Sequence, residues 1–259
     1  KRLPYLARAL RSLCLWLCSN IEIIIVVNCE ISEQSMTFLK LLINTYLSDR
    51  VTIKIHVSNP LEDNFDLTWI HKELMYSAYH STNPQYDLFL YLEDDIEISW
   101  INLLYWLEFL PILKTNQLIP GFIRIEQRIQ DGMWMSTDCT RKTIVNQLKS
   151  IEIGEYQFIN VENPYQAFWI LDRDLMAEHL ISPSFHKDDS LKTRRMGIRE
   201  RATMGLLYEN IPQGFKSRHV VPIQKDRKYI EWFATVHNLA NNYANNPNQK
   251  LLGKFPFGQ

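Results

Sequence analysis

The sequence predicts an α/β protein with a mixed, mainly parallel sheet and helices on both faces. Two observations carry that class. Apolar residues at helical spacing alternate with short β-branched runs through the first half of the chain, the order that builds a layered sheet with parallel strands. The last of those runs, Asp87-Leu88-Phe89-Leu90-Tyr91-Leu92, then breaks into three consecutive carboxylates, Glu93-Asp94-Asp95. Ligands of such sheets collect beyond the carboxyl ends of the strands.

Each element has its own signature. Leu3, Leu6, Leu10, Leu13 and Leu17 follow helical spacing with basic residues opposite, which predicts a helix over 2–17. Ile21 to Val27 is a β-branched run of the kind buried on both faces of a parallel sheet. Helical spacing returns over 35–47, and Val51-Thr52-Ile53-Lys54-Ile55-His56-Val57 alternates as a strand that Asn59-Pro60 ends. A helix over 67–80 precedes the acid-tipped strand from Asp87, and an amphipathic helix over 101–113 follows it, stopping at the polar 114–117 stretch. Pro120-Gly121 reads as a turn into a short strand reaching Glu126. Beyond a mixed stretch over 129–151, a polar loop at 161–165 leads to a strand over 167–171 and a short helix over 175–181. The charged 185–197 segment reads as mobile, 198–208 as helix, 218–223 as a closing strand and the Asn-dominated 238–248 as irregular coil. With no internal repeat and no Gly/Ser linker, one domain over 1–259 is the economical organisation.

Composition narrows the function. At 259 residues, 46% hydrophobic and 22% charged, the chain carries an ordinary globular core and is not a disordered one. A formal net charge of -1 argues against a nucleic-acid partner. The 7 Trp suit core packing or stacking on sugar rings. The 4 Cys lack the tight pairing with histidines that zinc needs, so Cys14, Cys18, Cys29 and Cys139 read as buried free thiols. Asn-X-Ser/Thr sequons are absent, which leans against a secretory route. No apolar run reaches membrane-spanning length. The chain opens on Lys1, so an upstream segment is expected, and localisation stays open between cytoplasm and, with an upstream anchor, the Golgi lumen.

The chemistry centres on the acid cluster. Adjoining carboxylates beside an apolar strand repel one another, a cost that a cation offsets. Hard oxygen ligands suit Mg²⁺ or Mn²⁺, and those ions suit diphosphates. A strand running into an acidic, solvated turn is the plainer alternative.

In this setting the chain resembles a nucleotide-sugar glycosyltransferase of the GT-A fold, with Glu93-Asp94-Asp95 standing where that superfamily has its Asp-X-Asp motif. Arg2-Leu3-Pro4-Tyr5-Leu6 and Leu10-Arg11-Ser12-Leu13 resemble the helix after the superfamily's first strand, and Arg199-Glu200-Arg201-Ala202-Thr203-Met204 is remotely similar to the acidic helix of exostosin-like members. The resemblance implies a GT-A (Rossmann-like) sheet, a UDP- or GDP-sugar donor, a glycan or other hydroxyl acceptor and a Mn²⁺ or Mg²⁺ cofactor. Residues 1–119 would be the nucleotide-sugar half and 120–259 the acceptor and catalytic half. Asp95 is then the direct metal ligand, with Glu93 and Asp94 on ribose, bound water or the ion. A late histidine often completes the metal shell in this superfamily, which points to His219, with His237 competing for the same role. Glu200 becomes the acceptor base, a role a partly shielded carboxylate serves, while Arg199 and Arg201 face the departing diphosphate as guanidinium forks. Glu93 in place of Asp and Arg201 in place of an acid depart from the superfamily pattern and leave inversion or retention open.

Arg124, Glu126, Gln166 and Trp169 are the candidate acceptor contacts, since acids and amides grip hydroxyls and aromatic rings stack on sugar faces. Two other classes compete. A catalytically inactive carbohydrate-binding or scaffolding domain fits Arg201, and a metal-dependent nucleotidyltransferase or hydrolase fits the acid cluster, although a Gly-rich phosphate loop is not visible.

Overall fold

A computed structural model describes residues 2–28, 32–58, 61, 63–137, 148–161, 163–190, 196–225, 230–249 and 255–256. In chain order the elements begin with α1 (Leu3–Cys14), β1 (Ile21–Val27), α2 (Glu33–Tyr46), β2 (Val51–Val57), α3 (Ile70–His80), β3 (Leu88–Leu92) and β4 (Ile96–Glu97). Then come α4 (Trp100–Lys114), β5 (Ile119–Pro120), β6 (Ile123–Gln127), β7 (Trp134–Ser136), β8 (Ser150–Ile153) and β9 (Tyr156–Ile159). The last are β10 (Phe168–Asp172), α5 (Arg173–Leu180), α6 (Lys187–Ser190), α7 (Ile198–Ala202), β11 (His219–Gln224), β12 (Thr235–Asn238) and β13 (Phe255–Pro256). Short 3₁₀ turns occupy Asn64–Trp69, Pro183–Phe185 and Trp232–Ala234. The class is mixed α/β.

The chain forms two compact units, Lys1–Glu93 with Ala167–Gly205, and Asp94–Gln166 with Leu206–Gln259. The chain passes between them at Glu93–Asp94, Gln166–Ala167 and Gly205–Leu206, and within the first unit β10 returns to pair with β3, Phe168 opposite Leu92 and Asp172 opposite Leu88.

In the first unit β1 and β2 pair in parallel, Ile21 with Val51 through Val27 with Val57. Leu10 of α1, Leu39 and Ile43 of α2, and Ile25, Val51 and Ile53 of the strands form the core, each side chain contributing about 1.5–3 kcal/mol by leaving water. β1 is less buried than its composition suggests, with Ile25 alone fully enclosed. Its Glu22 accepts hydrogen bonds from Lys54 Nζ at 2.8 Å and Tyr86 Oη at 2.6 Å. That carboxylate and burial together push the Tyr86 phenol up to about 12. α1 starts with a Pro in its first turn, where the missing N–H costs nothing, and it ends at Cys14, three residues short of the predicted stop, leaving Leu15 and Leu17 exposed. Cys14 and Cys18 are free and half-buried thiols, while Cys29, Cys139 and the Asn59-Pro60 terminator lie outside the described residues. The predicted 198–208 helix also stops early, at Ala202. Gly205 follows at φ 52°, and a Cβ there would meet the Trp169 ring at 2.9 Å, so only glycine fits. Within the charged 185–197 stretch, 187–190 is helical and 191–195 lies outside the described residues.

The second unit holds a five-stranded sheet, β13-β7-β6-β12-β4, and a four-stranded one, β5-β11-β9-β8. Ile123, Ile125, Ile159, Val161, Val221 and Ile223 make its core. Gly154, at φ 59°, turns the tight β8–β9 hairpin in which Ile153 opposes Tyr156. Ser99 and Asn102 form a reciprocal capping box at the start of α4, which buries Trp106, Phe109 and Leu113. The expectation of a mainly parallel sheet is corrected here: among the described residues six strand pairings are antiparallel and three parallel. Tight hairpins such as β8–β9 allow only the antiparallel sense. Among the described residues no helix is long and apolar enough to cross a membrane.

Candidate functional site

β3 carries apolar residues to Leu92, and Glu93 closes it with an N–H donated to the Ala167 carbonyl at 3.3 Å. Asp94 and Asp95 form the turn into β4, whose Ile96 is fully buried, as is Ile98 beyond it. Asp95 is itself buried, and its carbonyl accepts the Leu239 N–H at 2.7 Å. β4 pairs antiparallel with β12, Glu97 opposite His237 and Ile96 opposite Asn238. Asn102 secures the approach of that partner strand, its Nδ2 donating to the carbonyls of Phe233 at 2.7 Å and Thr235 at 2.8 Å. The carboxylate turn and a His-Asn strand end are thus held side by side by backbone ladder and a buried amide.

The sheet alternation separates two groups of side chains along β12. On one side, His237 Nδ1 lies 3.7 Å from Glu97 Oε2, its ring stands perpendicular to Trp134 at 5.1 Å, and its Nε2 is buried without a hydrogen-bond partner. On the other, Asn238 Nδ2 donates to Glu126 Oε1 at 2.7 Å, while Glu126 Oε2 accepts the N–H groups of Tyr243 at 2.9 Å and Ala244 at 2.7 Å. Burial raises the Glu126 pKa, and these donors and Arg124 act against that. The Asn-rich tail, predicted as irregular coil, is ordered by the same logic: Asn241 Oδ1 accepts from Gln127 N and Asn245 Oδ1 from Ile129 N. β12 itself is an element that the composition of this tail concealed.

The structure puts the Asp94-Asp95 turn and Glu97 on the edge strand β4, next to His237 on the inner strand β12, and puts His219 in another ladder. His219 sits on β11, in the four-stranded sheet, opposite Ile119 and tight against Gly121. It is buried with Nδ1 unpartnered, and burial, helped by neighbouring Arg218, pushes its pKa down to about 3. The four predicted acceptor contacts are all more than nine-tenths buried. Arg124 lies over the Tyr165 ring at 4.8 Å, Glu126 grips the 238–244 loop, and Gln166 Oε1 accepts the Phe122 N–H at 3.0 Å. Trp169 packs beside Tyr91 in the first unit. Glu126 and Gln166 spend their polar atoms on holding the fold, while Trp169 Nε1 is buried without a hydrogen-bond partner.

Glu200, Arg199 and Arg201 lie on α7 of the first unit. Glu200 accepts from Arg199 at 3.3 Å, and its carboxylate end folds back over Gly197. Arg201 is buried, donating to the Met196 carbonyl at 3.0 Å, with Nε unpartnered.

Sequence reading missed a second cluster, also in the first unit. Lys72 Nζ is buried 2.8 Å from His179 Nε2 and lies 5.4–5.8 Å from the ring centroids of Trp69, Trp169 and Phe185. Ser182 Oγ donates to the His179 carbonyl and so accepts from His179 Nδ1, which leaves Nε2 as acceptor for the amine. Burial lowers the Lys72 pKa to about 7 and holds His71 and His179 well below the ordinary histidine value. The signal was slight, a His71-Lys72 pair at the start of a helix.

Among the described residues no three His, Cys, Asp or Glu side chains converge as a metal-holding group. Mg²⁺ in diphosphate sites commonly takes one or two protein carboxylates and completes its shell with phosphate and water. Asp94 and Asp95 are carboxylates of the type such sites use, and His237 Nε2 is buried without a hydrogen-bond partner. No protein-family model matches the chain, and no curated protein matches it in sequence.

Proposed function

We propose that this chain is a metal-dependent glycosyltransferase of GT-A type, moving a sugar from a UDP- or GDP-sugar to a hydroxyl acceptor. The observation that carries the reading is the ladder that joins the Asp94-Asp95 turn to His237, whose Nε2 is buried and lacks a partner. An orphaned buried nitrogen costs about 1–3 kcal/mol, a cost that a bound cation would offset. Asp95 and His237 would hold Mn²⁺ or Mg²⁺, with Asp94 on the ion or its water. When bound, the ion neutralises charge on the departing diphosphate. His237 replaces His219 as the preferred nitrogen ligand because of its register with Glu97. Glu126 acts at one remove, anchoring Asn238 and the 243–244 backbone and so fixing where β12 ends.

The test is a melting-temperature titration with Mn²⁺ plus UDP and Mn²⁺ plus GDP. Wild type should be stabilised by one of the two pairs more than by metal or nucleotide alone. Asp95→Asn and His237→Ala should each abolish that gain. A wild-type protein indifferent to both pairs, or variants that respond as it does, would remove the reading.

A further inference from the structure

Trp232 is exposed where a core-forming residue has no reason to be. It is 53% accessible, yet the turn that presents it is tied down on its inner side. Phe233 packs against Tyr105 at 5.2 Å and Tyr156 at 5.9 Å, and Ala234 is fully buried. The Phe233 and Thr235 carbonyls take both protons of the Asn102 amide, and Thr235 Oγ1 donates to the Trp232 carbonyl at 2.8 Å. An indole projected from so rigid a backbone pays little entropy on stacking with a ligand. Trp134 meets it at right angles, centroids 6.0 Å apart, and stands in turn at right angles to His237, 5.1 Å away. Glu97, partly exposed, completes the corner 3.7 Å from the imidazole.

We propose that Trp232, met edge-on by Trp134, is a saccharide-stacking platform that receives a carbohydrate acceptor beside Glu97. The apolar C–H face of a pyranose packs on an indole π face, and its hydroxyls donate to a carboxylate or pair with an imidazole. A nucleobase also stacks, but the charged group in this corner, Glu97, is a carboxylate that accepts from hydroxyls, so a neutral polyol is the better ligand here. The identification of the ligand as acceptor rests on the glycosyltransferase reading, whereas the stacking site does not.

The experiment is calorimetric titration of wild type, Trp232→Ala and Trp232→Phe with cellohexaose, xylohexaose, chitohexaose, mannohexaose and maltohexaose, each checked by tryptophan fluorescence. At least one hexasaccharide should bind wild type, and Trp232→Ala should weaken it by about tenfold or more, the loss of a buried Trp contact. Trp232→Phe should restore most of the affinity, because the flat face is kept. Trp232 is exposed, so its variants fold, and an unchanged melting temperature verifies this. No binding of any hexasaccharide to wild type overturns the platform, as does equal binding by Trp232→Ala. Saccharide binding that depends on Trp232 in a protein without the Mn²⁺–nucleotide gain supports the platform and strikes the donor reading alone.

Discussion

Replacing Lys72 by Met should stabilise the protein at neutral pH, with a gain that fades as the pH rises. The buried amine titrates at about 7 in the native protein, against 10.5 when unburied. Between those values the unfolded chain holds the proton and the native one does not, so wild-type stability climbs with pH across that window. The penalty is complete below the native value and gone above the unfolded one. From the two pKa values it amounts to about 4 kcal/mol at pH 7 and about 2 kcal/mol at pH 9. The three surrounding rings pull the other way, but their centroids lie 5.4–5.8 Å from the nitrogen, close to the roughly 6 Å limit of such contacts, so desolvation prevails. Methionine fills the same space and keeps the aromatic contacts, while stranding His179 Nε2 at a cost of about 1–3 kcal/mol. The net gain is then about 1–3 kcal/mol at pH 7 and close to zero at pH 9. Urea unfolding followed by tryptophan fluorescence at pH 7, 8 and 9 measures it, with Trp69 and Trp169 as reporters beside the amine. His71 and His179, both held well below 6.5, stay neutral over that range. A wild-type-to-variant difference that does not move from pH 7 to 9 refutes the reasoning, because the rings would then be holding the ammonium charged.

Three further outcomes are expected. Asn102→Ala removes the return half of the α4 capping box and strands two buried carbonyls, so it should cost about 2–4 kcal/mol in urea unfolding; a loss under about 0.5 kcal/mol, typical of surface sites, would show that the amide does not anchor β12. Glu126→Gln should speed hydrogen exchange at the Tyr243 and Ala244 amides and cost about 2–3 kcal/mol, with unchanged protection counting against the clamp. Glu200→Gln, in the other unit, should leave the Mn²⁺–nucleotide gain intact, and a lost gain would count against a metal site held by Asp95 and His237.

Much of the first half of the chain was legible because its signals are local. The β1 and β2 strands fall on the residues their β-branched runs marked, and α2 and α4 agree within two residues, with serine caps at both starts. Helix stops were read less well. Spacing alone carried α1 to Leu17 and α7 to Tyr208, but a helix ends where burial of its stripe ends or where a glycine takes a left-handed turn, as at Gly205. β9 escaped notice although Ile151, Ile153, Tyr156 and Phe158 alternate about a Gly154 turn. Strand direction was harder still, since β3 meets β10 across 80 or so residues, and nothing in either run encodes that partner.

The same non-locality decides which chemistry could be read. The carboxylates announced themselves because three of them are consecutive, a pattern whose cost is visible without knowing the neighbours. A histidine has no such mark. His219 and His237 both occupy strands, and only the pairing of β12 with β4 puts one of them in register with the acid turn. Glu126 misled for the converse reason. An acid within Ile123-Arg124-Ile125-Glu126 looks poised for a ligand, yet its partners are backbone N–H groups more than a hundred residues away. A buried carboxylate must find donors somewhere, and when the chain supplies them it becomes scaffold. When the chain does not, as at His237 Nε2, the unpaired atom is where a ligand is to be sought.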